Sequence, residues 1–215
     1  GRAVQGGWSL GHPETGTNPL VRVTGRVMLD DGSLTVGGWR QTPKTVLEID
    51  GDLVLTNSGS LYVFAGETNA ATDQGAWVRV TGETRIGHTN AWINPYSNPT
   101  NTGGSVLFEL GNVAITAGGF NADRKGYGWI GSHPDSIYGP LCYGEGVGPT
   151  VSSRGGGGSY GGLGGPVNGF VGKVYGVTNA PTLPGSPGGL GSPYPECGGG
   201  LIRIDAANLF LDGYL

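Results

Sequence analysis

This chain is short of charge. Asp, Glu, Lys and Arg make up 13% of its 215 residues, against roughly 25% in ordinary globular domains. Lysine is scarcest, with three against nine arginines. The formal charge is -4 and the basic residues do not cluster, so the electrostatic footprint of a nucleic-acid-binding protein is missing. Long apolar runs are missing too. No stretch approaches the roughly 18 residues of a membrane-crossing helix, and no membrane insertion is expected. Capped segments of helical periodicity are absent. Residue 1 is followed by Arg2-Ala3-Val4-Gln5-Gly6, without the apolar core of a signal peptide.

Catalytic and metal patterns are equally scarce. His12, His88 and His133 stand singly, with no HxxxH spacing. No Gly-x-Ser-x-Gly occurs in a strand–turn–helix setting. Asp30/Asp31 and Asp50/Asp52 are the candidate pairs for two-carboxylate glycoside cleavage. With backbone carbonyls they are also the weak candidates for Ca²⁺. Both pairs sit in or beside turns, where Asp commonly serves local hydrogen bonding, and no Asp-x-Asp-x-Asp-Gly loop accompanies them. No catalytic residue and no other cofactor is expected. The two cysteines, Cys142 and Cys197, are too far apart for a CxxC motif. They are either a disulfide or two free thiols. Low charge with much Gly, Asn, Thr and Ser points to an extracellular or cell-surface chain, where the disulfide would form.

What the chain has is a repeat. Val21-Arg22-Val23-Thr24-Gly25 returns letter for letter as Val78-Arg79-Val80-Thr81-Gly82. Gly32-Ser33-Leu34-Thr35-Val36 returns as Gly59-Ser60-Leu61-Tyr62-Val63. Gly25, Gly51, Gly82 and Gly111 mark four copies at steps of 26, 31 and 29 residues. A fifth copy runs from Ile202 to Leu211, with Ala206 in the glycine's place. Within each copy the apolar residues alternate, which is strand periodicity, and repeats of 20–50 residues indicate stacked units. The expected fold is all-β: a single right-handed parallel β-helix with 1–20 as lead-in, 21–117 as coils, 118–200 as a glycine-rich insertion and 201–215 as a final coil. A β-sandwich is the alternative. Like residues should then stack in columns: Val21, Leu47, Val78, Phe108 and Ile202 beside Val23, Ile49, Val80, Leu110 and Ile204. Between them Arg22, Glu48, Arg79, Glu109 and Arg203 should form an outer ladder of alternating charge, which favours parallel neighbours.

Glycine supplies 46 residues, concentrated after Gly118. The insertion amounts to roughly 65 residues beyond an ordinary coil, and structureless loops of that length are uncommon in compact domains. Its many tyrosines set it apart from a flexible linker. An ordered, irregular flap packed on the flank is expected, using glycine for positive φ and close backbone approach.

Gly155-Gly156-Gly157-Gly158-Ser159-Tyr160-Gly161-Gly162, Pro184-Gly185-Ser186-Pro187-Gly188-Gly189 and Gly198-Gly199-Gly200-Leu201-Ile202-Arg203-Ile204 resemble the glycine-rich segments of large secreted or surface-anchored bacterial β-helix proteins. The upstream copies resemble pectin-lyase-like and adhesin-type solenoids. The resemblance implies a structural or adhesive role; since that group includes polysaccharide lyases and hydrolases, an enzyme or a carbohydrate-binding module is the alternative. Trp39, Trp77, Trp92 and Tyr62 fall at outward or loop positions and are the candidates for stacking on glycans; packing beneath the flap is the competing use. Ile202, Ile204, Leu209 and Leu211 lie on a last strand that ends uncapped. That strand is expected to receive another protomer, in head-to-tail filament fashion, or a neighbouring solenoid segment.

Overall fold

The computed structural model describes residues 2–4, 7–10, 20–38, 44–68, 74–99, 103–128, 144–151, 154–177, 179, 181–189 and 197–215. Among them no helix forms. The strands are β1 (Arg2–Val4), β2 (Gly7–Leu10), β3 (Leu20–Thr24), β4 (Val27–Asp30), β5 (Ser33–Val36), β6 (Thr45–Asp50), β7 (Leu53–Thr56), β8 (Ser60–Phe64), β9 (Gln74–Tyr96), β10 (Ser105–Phe120), β11 (Thr150–Val151), β12 (Arg154–Gly155) and β13 (Ile202–Leu211). β11 and β12 form a small antiparallel ribbon. The other strands make one sheet in which every pair is parallel. An antiparallel sandwich is thereby ruled out.

The sheet curls. β9 is 23 residues long and, on the edge opposite β10, pairs with three different strands. Its start lies on β6 (Leu47↔Val78), its middle on β7 (Leu55↔Ile86) and its end on β8 (Leu61↔Ile93). Three columns result. The first holds β3, β6 and the starts of β9, β10 and β13. The second holds β1, β4, β7, the middle of β9 and the remainders of β10 and β13. The third holds β2, β5, β8 and the end of β9, then Gly119 and Phe120, with Tyr214 bridged to Gly119. The segment taken as a lead-in therefore contributes strands to two columns.

Inward residues from all three columns form one core: Leu47, Ile49 and Val78 from the first, Leu29, Leu55 and Ile86 from the second, Val36, Leu61 and Ile93 from the third. Each such fully buried side chain contributes about 1.5–3 kcal/mol. Phe108 meets Phe120 edge-on across the interior at 5.0 Å. Thr84 is a polar residue of this interior, buried between Leu53 and Val113 with no hydrogen-bond partner for its hydroxyl, whereas Thr45, equally buried, donates to Phe64 O at 2.7 Å. The marker glycines explain the repeat. A Cβ on Gly51 would lie 2.6 Å from the Gly25 carbonyl carbon, and one on Gly111 would lie 2.7 Å from the Gly82 oxygen. The corner between the first two columns leaves room for backbone only.

The last layer is offset from its expected place. Ile202 pairs with Val106, Ile204 with Phe108 and Ala206 with Leu110. The fifth copy thus sits two residues away from its alignment on Phe108. Its glycine position falls to Ala207 rather than Ala206, and the rung beside Glu109 carries Asp205 rather than Arg203, which stands beside Leu107. The polar contact that accompanies this register is Asn208, whose Nδ2 donates to Asn112 Oδ1 at 2.8 Å.

The glycine-rich segment is ordered where it is described. Its backbone bonds to itself at a distance in sequence: Gly156 N–H donates to the Pro149 carbonyl at 2.8 Å and Gly185 N–H to Gly199 at 2.8 Å. It is tied to the sheet through Ser97 N–H donating to Lys125 O at 2.9 Å and Ser105 Oγ to Thr182 O at 3.4 Å. Among its described glycines from 144 onward, only Gly144, Gly169 and Gly176 have φ in the left-handed range. Close approach, more than unusual φ, is what the glycine provides.

Candidate functional site

Three surfaces gather the candidate residues. The first is the outer face of the first column. Arg22, Glu48, Arg79 and Glu109 lie side by side in the parallel register, and the ladder expected from the sequence forms over these rungs. Arg22 reaches Glu48 at 2.6 Å. A shallow hollow of about 320 Å³ is lined by Arg22, Glu48, Asp50, Arg79 and Thr81. A second, of about 310 Å³, is lined by Arg79, Thr81, Glu109 and Asp205.

The corner carboxylates are occupied with holding layers together. Asp52 Oδ2 pairs with Arg26 at 3.0 Å, and its Oδ1 accepts from Glu83 N–H at 3.1 Å. The Glu83 N–H, seconded by Arg26, holds its carboxyl below the ordinary carboxylate range. A carboxyl kept ionised in this way is unsuited to donating a proton to a leaving group. Asp50 accepts from Thr81 Oγ1 at 3.1 Å, Asp30 from Asn57 Nδ2 at 2.5 Å and Asp31 from Ser58 N–H at 3.1 Å. His88 accepts from Asn90 N–H; His12 and His133 lie outside the described residues. Among the described residues no group of three or more His, Cys, Asp or Glu side chains is arranged to hold a metal ion, and no helix is long and apolar enough to cross a membrane.

The aromatic candidates do not converge. Trp77 lies outward on the first column between Val46 and Leu107. Lys44 Nζ and the Arg79 guanidinium stand 5.8 and 6.0 Å from its ring centroid. Its indole N–H is buried without a partner. Leu107, one rung on, is covered. Tyr62 belongs to the third column, in a cluster that sequence reasoning missed. Phe64 stacks on Tyr96 at 4.5 Å, Tyr62 lies 6.5 Å from Tyr96, and Lys125 Nζ sits 5.3 Å from the same ring. Burial pushes the Lys125 amine below its ordinary range; it is held by Asn121 Oδ1 at 2.9 Å. The signal was available, because Phe64 and Tyr96 fall at matching positions in successive copies. Trp92 faces Tyr214 at 6.1 Å. The two share a cavity of about 350 Å³ with Phe120, Asp123, Ile202 and Leu215. Trp92 therefore belongs with the last layer and not with Trp77. Trp39 and Cys142 lie outside the described residues. Cys197 is half-buried near Gly128 and has no disulfide partner among the described residues.

The third surface is the free edge of β13. Among the described residues it pairs with β10 alone. Ile202 and Ile204 are half-buried against the core, and Leu209 and Leu211 continue the buried Val113 and Ile115 positions while remaining 49% and 43% exposed. Phe210, Tyr214 and Leu215 are exposed beside them. Chemically this is a strand edge with an apolar rim, which favours pairing with another strand.

No family model, no curated protein and no solved structure matches this chain. The functional reading therefore rests on geometry.

Proposed function

We propose that the chain is a structural or adhesive unit of an extracellular or cell-surface protein, built as a right-handed parallel β-helix. Its β13 edge receives a further layer, from a neighbouring solenoid segment or a second protomer. One observation carries the reading: the core columns run through β10 and continue into Leu209 and Leu211, which are left half-exposed on a strand whose outer edge has no partner among the described residues. Repeat arrays need such faces covered. Among the described residues the corner carboxylates serve the stack, which favours this reading. Sedimentation and electron microscopy of the purified chain test it. Concentration-dependent association is expected, reduced by Leu209→Lys with Leu211→Lys. A chain that stays dispersed at high concentration, with the variant behaving alike, counts against the reading.

A glycan-binding module, or a polysaccharide lyase or hydrolase of the β-helix type, is the second reading. Half-buried outward aromatics at Trp77, Trp92 and Tyr62 favour it. Trp92→Ala should then lose glycan binding on an array without loss of folding, and acidic polysaccharides should yield unsaturated or reducing ends. Unchanged binding and no new ends leave the structural reading alone.

A further inference from the structure

We infer that the open edge of β13 is shaped for a parallel strand carrying a basic side chain beside Asp205 and a hydrogen-bond donor beside Asn208. This rests on the reading of that edge as the assembly end and names the chemistry of what binds there.

The charge ladder carries the first half. Arg22, Glu48, Arg79 and Glu109 alternate in sign, and then Asp205 follows Glu109. Two carboxylates stand on neighbouring strands where every rung below pairs opposites. Like charges directly opposite are destabilising. Arg79 lies on the far side of Glu109 from Asp205, and Arg203, the cation along the same strand, is at the rung of Leu107. A basic residue on the next strand would resume the alternation.

The corner carries the second half. This column bonds between layers at three of its four steps: Arg26 to Asp52 at 3.0 Å, Glu83 N–H to Asp52 at 3.1 Å, Asn208 to Asn112 at 2.8 Å. Asn208 spends its amide N–H on the layer below. Its carbonyl oxygen is the acceptor left for the layer above, as in stacked amide ladders.

The chain's own repeat shows the fitting pattern. With the one-residue bulge that already separates β9 from β10 between Leu110 and Asn112, Val21-Arg22-Val23-Thr24-Gly25-Arg26-Val27 has a cation at both rungs and apolar residues to follow Ile204, Ala206 and Leu209. A folded second copy presents that stretch at its β3 edge but cannot seat it. β1 already lies on β4 and β2 on β5, one layer beyond β3. Laying β3 on the start of β13 would drive β1 into Asn208–Leu211. Beside Asp205 the occupant is therefore an added strand of this sequence type and not the β3 edge of a second folded copy; a copy that associates does so at Leu209 and Leu211 instead.

A fluorescently labelled synthetic peptide of residues 20–36, titrated into the full chain by anisotropy, tests this. Binding is expected, weakened about three- to tenfold by Asp205→Arg, in keeping with the small worth of exposed charge pairs. A peptide carrying Arg22→Glu should show the reverse preference. If both peptides bind both chains equally, the edge is occupied but blind to charge; the inference fails and the assembly-end reading survives. If neither binds while the chain self-associates through Leu209 and Leu211, the partner is a second copy and the inference again fails. Neither binding nor association overturns both.

Discussion

Gly51 and Gly148 are both places where a side chain cannot go, in two regions built on opposite terms. At Gly51 an added Cβ would lie 2.6 Å from the Gly25 backbone. That glycine clears a corner so that strands on either side can bring Leu47, Ile49, Leu53 and Leu55 into the core. At Gly148 an added Cβ would collide with the Gly156 oxygen and lie 2.5 Å from Gly189 N. Here no side chains wait behind the contact; backbone against backbone is the packing itself. The layers draw on apolar burial at about 1.5–3 kcal/mol per large side chain. The glycine-rich segment draws on backbone hydrogen bonds whose net worth is about 0.5–1.5 kcal/mol each, against the largest entropy cost of any residue on ordering. Its side-chain core is small: Tyr127 lies 6.1 Å from Tyr175, which meets Tyr160 edge-on at 4.9 Å and donates its hydroxyl to Pro184 O. Leu163 and Phe170 are left 68% and 62% exposed. The segment should be the weaker half.

The contrast breaks most visibly at Phe108. Truncation to Ala empties the centre of the core and should cost about 3–5 kcal/mol, read as a shift of the main denaturation transition. If only a minor transition moves, the core is not where stability resides. Gly148→Ala should cost about 1–3 kcal/mol by overpacking and should loosen the glycine-rich segment alone, seen as faster amide exchange after residue 144 with the layers still protected. Gly162, with open space around it, is the control: Gly162→Ala should be nearly neutral. Equal damage from the two would mean that close backbone contact is not what holds the segment.

The smallest effect is in pH. Burial pushes Tyr175 up to about 12 and Tyr127 further still. The folded segment therefore holds protons that the unfolded one releases. Its contribution is complete below pH 10 and falls as pH rises towards 12 and beyond. Asp52 behaves oppositely. Its depressed pKa gives a contribution present above the ordinary carboxylate value and lost as pH falls through its own. Alkali should open the segment first, with tyrosinate absorbance rising alongside exchange there. Uniform ionisation at the ordinary tyrosine value, without local opening, would remove the distinction.

The layered half was legible because each inward position repeats its own kind. Val21, Leu47 and Val78 needed no structure to be stacked, nor did Arg22, Glu48 and Arg79. The last layer was misplaced because alternating Ile202 and Ile204 satisfy two registers equally. The information that separates them is polar, in Asn112 and Asn208 with the apolar pairs that follow each. The glycine-rich half was legible only as a class. Its specificity lies in which carbonyl meets which N–H, and glycine writes no side-chain pattern from which that can be read. The glycan candidates failed to converge for a related reason. Outwardness is set by strand alternation, but the column that receives an outward residue is set by the corners, and Trp77 and Trp92 lie on either side of two of them.

The pairing of β13 with β10, across 96 residues between Asn112 and Asn208, also has a meaning in time. Each earlier layer can close on its neighbour soon after leaving the ribosome. β10 must wait for roughly 80 more residues, which at about 5–20 residues per second is on the order of 4–16 s. Lengthening the closed loop from one ordinary step to this one costs only about 1 kcal/mol at equilibrium. The insertion is thus cheap in the finished molecule and slow in its making, and the bare edge of β10 is where a nascent chain would most need protection.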